Sequence, residues 1–446
     1  MKKDDSKREL LTKTPVPQLI VRLSIPTIIS MLVTAIYNMA DTYFVGKIST
    51  ESTAAVGLVF SVMAIIQAFG FFFGQGSGNY ISRMLGGGNK KEANEMAATA
   101  FAMAIISGVV VAIIGNIFIN RLSLAVGADE NTIKETKEYM SIILIGAPFM
   151  MGQFVINNQL RFQGSAMYAM VGLMCGALAN IVLDPLLILG LKMEVKGAAI
   201  ATVSGQIISF MVLFAMSMKG ENIKIRFGNI RFSPYYIVEI VNGGAASLFR
   251  QGLAAVSTLL LNRYAKAYGS VDAVAAMSIT TRVTMMLVSA VIGFGQGYQP
   301  VCSFNYGAGL TKRVKEGFIF CVKYSTVFLV GIGVVCFIFA PDIIALFSKN
   351  PLAIEVGVAA LRFQACTLPL SGTIVISNMM LQSIGMGVKA SIMASSRNGL
   401  FFIPMILILP PMLGILGVEM AQSCADVLSF VLAIPMAYSE LKKFND

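Results

Sequence analysis

The sequence predicts an all-α membrane protein with twelve transmembrane helices in two six-helix bundles, related by pseudo-twofold symmetry along the membrane normal. Three observations predict this fold. Of the 446 residues, 56% are hydrophobic and 13% are charged, and that charged share is about half the soluble average. Apolar runs of roughly 20 residues, long enough to span a bilayer, recur along the chain. The second half of the chain also repeats motifs of the first.

The apolar runs fall into two sets of six spans, separated by a polar connector. The first set is 18–45, 53–85, 93–119, 132–160, 165–191 and 197–219, and the second is 234–265, 272–305, 313–341, 351–384, 390–415 and 417–440. The predicted domains are an N-terminal segment, 1–17, a first bundle, 18–219, a cytoplasmic linker, 220–233, and a second bundle, 234–446.

Lysine and arginine alternate between rich and poor loops along the chain. The N-terminal segment, the linker and the C-terminus all fall on the rich side, which the positive-inside rule places in the cytoplasm. Both termini are therefore predicted to be cytoplasmic, which requires an even number of spans. The first span runs unbroken over 18–45 and is too long for a signal peptide. The net charge of +11 follows from this topology, so we expect the lipid bilayer, and no nucleic acid, as a partner.

The repeat appears at a nearly constant separation along the chain. Gly74-Gln75-Gly76 recurs as Gly295-Gln296-Gly297, and 86–88 recurs at the same separation as 307–309. We call this separation, from Gly74 to Gly295, the repeat offset. Residues 197–216 share five positions with 417–436, at an offset shorter by a single position. Six helices in each half give both halves the same orientation in the membrane, an arrangement common among secondary transporters.

Several classes of site are excluded by residue types. The chain has no histidine, and its six cysteines lie scattered through apolar segments without a C-x-x-C pair, which argues against a disulfide framework or a cysteine metal site. The glycine-rich stretch 86–91 lacks the G-x-x-x-x-G-K-[ST] pattern of a phosphate loop. We therefore predict a tight turn there, no nucleotide cofactor and no enzymatic activity.

The stretch 37–46 places a carboxylate, Asp41, inside an apolar span. A charged side chain in hydrocarbon is costly and usually faces a polar cavity. Residues four apart share a helix face, so Tyr37 lies beside Asp41, and Asn180 lies beside Asp184 in the fifth span. We predict that these two faces meet and bind a cation or a proton. The alternative for Asp41 is a solvated acid at the outer interface.

Other polar residues also fall within or near apolar spans. Arg250, Arg282 and Arg397 have three interpretations: snorkelling to an interface, a structural ion pair, or a functional role. Asp426, in the last span, is another isolated acid with a possible functional role. Asn157, in the fourth span, has no evident partner in the sequence.

The chain resembles the multidrug and toxic compound extrusion (MATE) family of secondary transporters over essentially its whole length. The resemblance is carried by the segment 37–46, the two Gly-Gln-Gly blocks, the segment 295–300 and the pattern Asn305-Tyr306-Gly307-Ala308-Gly309. It implies two six-helix bundles around a cleft that opens alternately to each side, and export of amphipathic, often cationic small molecules in exchange for Na+ or H+.

In one branch of that family the coupling site lies on polar residues of helices 1, 5 and 6. Asp41, Asn180, Asp184 and Thr202 match those positions, with Tyr37 adjacent, and they are the predicted Na+ ligands if the protein is sodium coupled. Pro26 resembles the proline at which members of that branch bend helix 1.

Another branch uses acids in helices 7 and 10. Gln251 and Ser371 stand at those positions here, so the N-terminal site is preferred. The predicted substrate contacts are Met31, Tyr37 and Asn157. We expect no cofactor other than the coupling ion. We also expect a monomer in the inner membrane of a prokaryotic cell. The alternatives are a lipid-linked or other metabolite exporter of the same superfamily, a channel, and an intramembrane prenyl-transferring enzyme.

Overall fold

A computed structural model describes residues 4–444, with side chains described for all of these except 4–6, 35, 36, 38–43 and 50. The regular secondary structure of this part of the chain is helical. Hydrophobic segments in a bilayer require this, because a helix satisfies the hydrogen bonds of its backbone groups internally. The predicted all-α class is confirmed.

The described helices form two series. The first comprises α1 (Asp4–Lys13), α2 (Val16–Val45), α3 (Thr50–Gly86), α4 (Lys90–Ile117), α5 (Ile119–Ala125), α6 (Ile133–Phe162), α7 (Ala166–Pro185) and α8 (Glu194–Ser217). The second comprises α9 (Pro234–Tyr268), α10 (Val271–Gly307), α11 (Thr311–Ile338), α12 (Ala340–Ala345), α13 (Pro351–Ser383), α14 (Gly387–Ser395), α15 (Phe402–Leu413) and α16 (Ile415–Lys442).

Twelve helical segments of the described chain are long and apolar enough to cross a membrane, as predicted. The fifth ends in a π-helical turn, Leu186–Gly190, and the eleventh is interrupted by another, Ser396–Leu400. Three short helices, α1, α5 and α12, were not predicted, because each is too short or too polar to appear as an apolar run.

The repeat seen in the sequence extends to caps and turns. Ser49 caps α3 through a hydrogen bond to its own helix, and Ser270, at the repeat offset, caps α10 in the same way. Gly88 and Gly309, which the same offset separates, both adopt positive φ, at 85° and 74°. Only glycine adopts this backbone region at little cost. The glycine-rich stretch 86–88 is thus a turn between two membrane helices.

The described chain divides into two compact units. Unit 1 contains residues 1–14 and 25–248, and unit 2 contains residues 15–24 and 249–446. In unit 1, α6 is the central helix and packs against α3, α4 and α8, while α7 pairs with α8. In unit 2, α13 has the equivalent central place, against α10, α11 and α16, and α15 pairs with α16.

In each half of the chain, the beginning of the first helix packs against helices of the other half. Residues 15–24 belong to unit 2, where the Ser24 hydroxyl donates to the Phe294 carbonyl at 3.1 Å. A Cβ on Gly297 would collide with Ser24, and a Cβ on Gly76 would collide with the Ile240 carbonyl within unit 1. The second glycine of each Gly-Gln-Gly block therefore admits a crossing helix. The unit boundary within α2, between residues 24 and 25, lies beside Pro26.

Helix α1 docks on unit 1 through a polar cluster and one apolar side chain. The Lys7 ammonium donates to Ser165 Oγ at 2.8 Å and to Asn222 Oδ1 at 2.6 Å. Leu11 is 1% exposed and contacts the turn at Gly164. Burial lowers the pKa of Lys7 to about 8, opposed by the nearby Glu221 carboxylate.

Candidate cation site

The structure brings Asn180, Asp184 and Thr202 together between α7 and α8 of unit 1. All three are buried, with exposures of 1%, 0% and 3%. The Asn180 amide lies 3.4 Å from Asp184 Oδ1. With the amide turned over, its nitrogen donates to Asp184 Oδ2 at 3.2 Å and its oxygen accepts from the Thr202 backbone N–H at 3.2 Å. The second orientation satisfies both amide atoms and is the better assignment.

Two glycines allow α7 and α8 to approach closely enough to form this site. A Cβ on Gly205 would lie 2.8 Å from the Gly176 carbonyl oxygen and 3.1 Å from Asn180 Cβ. Small residues at helix contacts let membrane helices pack backbone to backbone. The contact between Gly176 and Gly205, one helical turn before Asn180, thus allows the two helices to form the site.

Oxygen atoms without protein partners continue along α8 from the site. Among the described residues, Thr202 Oγ1, Gln206 Oε1 and Ser209 Oγ are buried and accept or donate no hydrogen bond. Buried polar groups are normally paired, so such atoms mark a place where a small ligand or water can bind. Carboxylate, amide and hydroxyl oxygens are ligands for a hard cation, and the carboxylate alone can take a proton.

Asp184 lies immediately before a break in helical geometry. Pro185 ends α7, and the chain continues as the π turn Leu186–Gly190. Proline removes one backbone donor, and π turns recur at functional sites. The acid therefore stands at a point where the regular hydrogen-bond ladder of the helix is interrupted.

The remaining predicted residues lie on α2 and α6. Asp41 is within α2, but its side chain lies outside the described residues, so its meeting with Asp184 stays a prediction. Met31 and Tyr37 are partly buried on the same helix. Helix α2 continues through Pro26 without a break. The Ser30 hydroxyl donates a hydrogen bond to the Pro26 carbonyl at 2.9 Å. Its role as a hinge stays a prediction.

Asn157 makes a structural hydrogen bond. Its amide donates to the Ala169 carbonyl at 3.0 Å, and Asn378, at the repeat offset, donates to the Ala390 carbonyl at 2.6 Å. Each asparagine thus ties the fourth helix of its half to the start of the fifth. A substrate contact at Asn157 stays a prediction beside this role.

Unit 2 contains an ion pair at the matching helix contact. Arg397 donates to Asp426 through Nε at 2.8 Å and through a terminal nitrogen at 3.2 Å, and Gln422 adds a bond of 2.9 Å. Arg397 corresponds through the repeat offset to Gly176. Asp426 corresponds to Gln206, at the offset shorter by one position that relates 417–436 to 197–216. The two charges lie in different spans of the sequence, and nothing in their spacing indicates that they pair. For Arg397, the ion-pair interpretation is confirmed.

Together these features define a twelve-span membrane protein of two repeated units, with an oxygen-lined, buried acid in the first. The MatE family model matches residues 26–186 and again 246–408, and the chain belongs to this family.

Relatives and solved structures match along nearly the whole chain. The chain is 27% identical to the multidrug export protein MepA of Staphylococcus haemolyticus, over 94% of its own length and 92% of that protein. It is also 27% identical to MepA of Staphylococcus aureus, over 96% and 94% of the two lengths. An outward-facing structure of a multidrug resistance MATE transporter matches with a TM-score of 0.91 and 27% identity, over 98% of both chains.

Proposed function

We propose that this protein is a secondary active multidrug efflux transporter, and not an enzyme. It exports amphipathic, often cationic compounds by alternating access, in exchange for H+ or Na+. The observation that carries the proposal is the full-length likeness to proteins named as multidrug exporters, over 94% of the chain in the first relative. We further propose a monomer in a prokaryotic cell membrane, with both termini in the cytoplasm.

The buried Asp184 supplies the coupling step. An ionised carboxylate removed from water carries a desolvation penalty of several kcal/mol. Asp184 is fully buried, and the Asn180 amide lies beside its carboxylate. A bound proton would remove the charge and a bound Na+ ion would offset it. In our proposal the Thr202 hydroxyl and the Asn180 amide oxygen would contribute to a Na+ shell.

Antiport then requires the cation and the substrate to prefer different states of the protein. A ligand shifts a conformational equilibrium only by its differential affinity for the two states, and the coupling is reciprocal. In our proposal the cation enters from outside, α2 shifts near Pro26, and substrate affinity falls. Asp41 would add a second carboxylate to the site.

Efflux from proteoliposomes tests the proposal. Ethidium is loaded inside, and either a pH gradient or a Na+ gradient is imposed on wild type, Asp184→Asn and the matched control Asp342→Asn, an exposed acid. We expect one gradient to drive efflux in wild type and the control, and neither to do so in Asp184→Asn. Equal gradient-driven efflux in all three proteins would contradict the coupling role of Asp184, and no efflux from wild type would contradict multidrug export.

A further inference from the structure

We propose that Arg250 of α9 forms a subsite for an anionic group, so that the transporter also accepts amphiphiles carrying a carboxylate. This inference rests on the proposed function and specifies part of its substrate range. Arg250 is partly buried and lies near the middle of the 35-residue α9. Counted from Pro234 at 1.5 Å per residue, it lies about 24 Å along the helix, so its charge is remote from the membrane surface.

The protein satisfies little of the hydrogen-bonding capacity of the Arg250 guanidinium. An arginine presents five N–H donors, and among the described residues its acceptor is Asn378 Oδ1, at a long 3.4 Å. The Asn378 amide is fixed, because its nitrogen donates to the Ala390 carbonyl at 2.6 Å. It cannot turn to serve the guanidinium better. The other donors are therefore left for another partner.

The guanidinium lies on the side of α9 that packs inside unit 2. Leu253, one turn further, contacts the π turn at Gly399, and the Ser257 hydroxyl donates to the Asn398 carbonyl of the same turn. Residues three and seven apart share a helix face with the first. Arg250 therefore faces α13 and the π turn, and snorkelling to a lipid interface does not account for it.

No carboxylate of the described chain neutralises this charge. Asp426, a buried acid of unit 2, is held on both oxygens by Arg397 and again by Gln422. The two arginines thus differ: Arg397 is paired inside the fold, and Arg250 is not. A charge at membrane depth without a counter-ion is expensive and is a functional residue by default.

The repeat shows that the fold does not require a charge at this position. Ile29 of α2 corresponds to Arg250 through the repeat offset, while the matching asparagine, Asn157, keeps its bond to the next helix. The asparagine is thus a shared structural device, and the arginine is an addition to the second half.

A carboxylate is the ligand that fits. The planar guanidinium binds a carboxylate through two parallel hydrogen bonds, and arginine is more weakly hydrated than lysine, which suits it to a buried anion site. A lipid phosphate is disfavoured, because headgroups lie at the surface and Arg250 lies at mid-span.

Two fluorescent dyes that differ in one group test this assignment. Rhodamine 110 carries a free carboxylate, and rhodamine 123 is its methyl ester, with the same cationic ring system. Binding of each to purified protein is measured by fluorescence anisotropy for wild type, Arg250→Gln, Arg250→Lys and the exposed control Arg282→Gln. We expect Arg250→Gln to raise the Kd of rhodamine 110 roughly tenfold, as for loss of a hydrogen bond to a charged group, and to leave rhodamine 123 unchanged.

Each outcome bears on the assignment. Arg250→Lys keeps the charge, so we expect it to retain part of the preference for rhodamine 110, and Arg282→Gln to retain all of it. The subsite would be overturned if Arg250→Gln left the Kd of rhodamine 110 unchanged. It would also be overturned if Arg250→Gln weakened the binding of both dyes equally while Arg250→Lys bound both dyes as tightly as wild type. Wild type that binds rhodamine 123 but not rhodamine 110 would overturn the subsite alone, whereas binding of neither dye would also contradict the proposed function.

Discussion

At the scale of single residues, three sets of charged residues within the membrane spans differ in their partners. Asp184 is fully buried and accepts from the neutral Asn180 amide, Arg397 is paired with Asp426, and Arg250 has one long hydrogen bond among the described residues. The Arg397–Asp426 pair serves structure, whereas Arg250, a charge at membrane depth without a described carboxylate partner, is expected to serve function.

The Arg397–Asp426 pair predicts a specific pattern of stability. Arg397→Met should cost about 3–5 kcal/mol, because it leaves a buried carboxylate uncompensated. The double variant with Asp426→Leu should recover most of that loss, because removal of both charges leaves none to desolvate. Thermal unfolding of the purified proteins measures both, with Arg282→Met as the exposed control. A double variant less stable than Arg397→Met would show that the pair has a role beyond mutual neutralisation.

The site could be predicted in part from these residues. Spacing placed Asn180 beside Asp184, and the resemblance added Thr202, which the structure brings to the same place. Nothing in the residue types indicated the bond from Asn157 to the Ala169 carbonyl, because a backbone acceptor leaves no mark in the sequence. The Gly176–Gly205 contact was equally hidden, since glycines are frequent and their partners depend on the packing.

At the scale of helices, the Gly-Gln-Gly blocks explain how segments cross between the halves of the chain. Gly76 of α3 admits Ile240 of α9, and Gly297 of α10 admits Ser24 of α2. The predicted boundaries followed apolar runs and could not reveal this exchange, because a helix shared between two units is a single run in the sequence.

Alanine substitutions test this crossing. Gly76→Ala and Gly297→Ala should each destabilise the protein by about 1–3 kcal/mol, the usual cost of overpacking. Gly57→Ala in α3 meets nothing within 4 Å and should be neutral or slightly stabilising, because alanine has the higher helix propensity. Thermal unfolding distinguishes them, and equal stability of all three variants would contradict close packing at the Gly-Gln-Gly blocks.

Docking of α1 should depend on pH. The pKa of Lys7 is lowered by burial to about 8 in the docked helix, against an ordinary value of 10.5. Between these values the undocked state binds more protons, so docking strengthens as pH rises through this window. Subtilisin cleavage within 4–13, relative to an unstructured peptide at each pH, should therefore slow from pH 8 to 10. Lys7→Met should lose this dependence, and an identical trend in Lys7→Met would contradict the assignment.

At the scale of the whole molecule, two repeats of similar fold differ in particular charged residues within their spans. The serine caps, Ser49 and Ser270, recur at the repeat offset. So do the asparagines that tie the fourth helix of each half to the fifth, Asn157 and Asn378. Asp184 of the first half and Arg250 of the second, by contrast, have no charged residue at the corresponding position of the other half. The repeat made the fold predictable, and the departures from it are where function is expected.

Antiport is tested at equilibrium by the effect of the coupling cation on substrate affinity. The Kd of ethidium for purified protein is measured at pH 6 and pH 8, each with and without 100 mM Na+ at constant ionic strength. We expect H+ or Na+ to weaken ethidium binding in wild type and in Asp342→Asn, and Asp184→Asn to be insensitive to both. The same cation dependence in Asp184→Asn as in wild type would contradict the coupling role of Asp184.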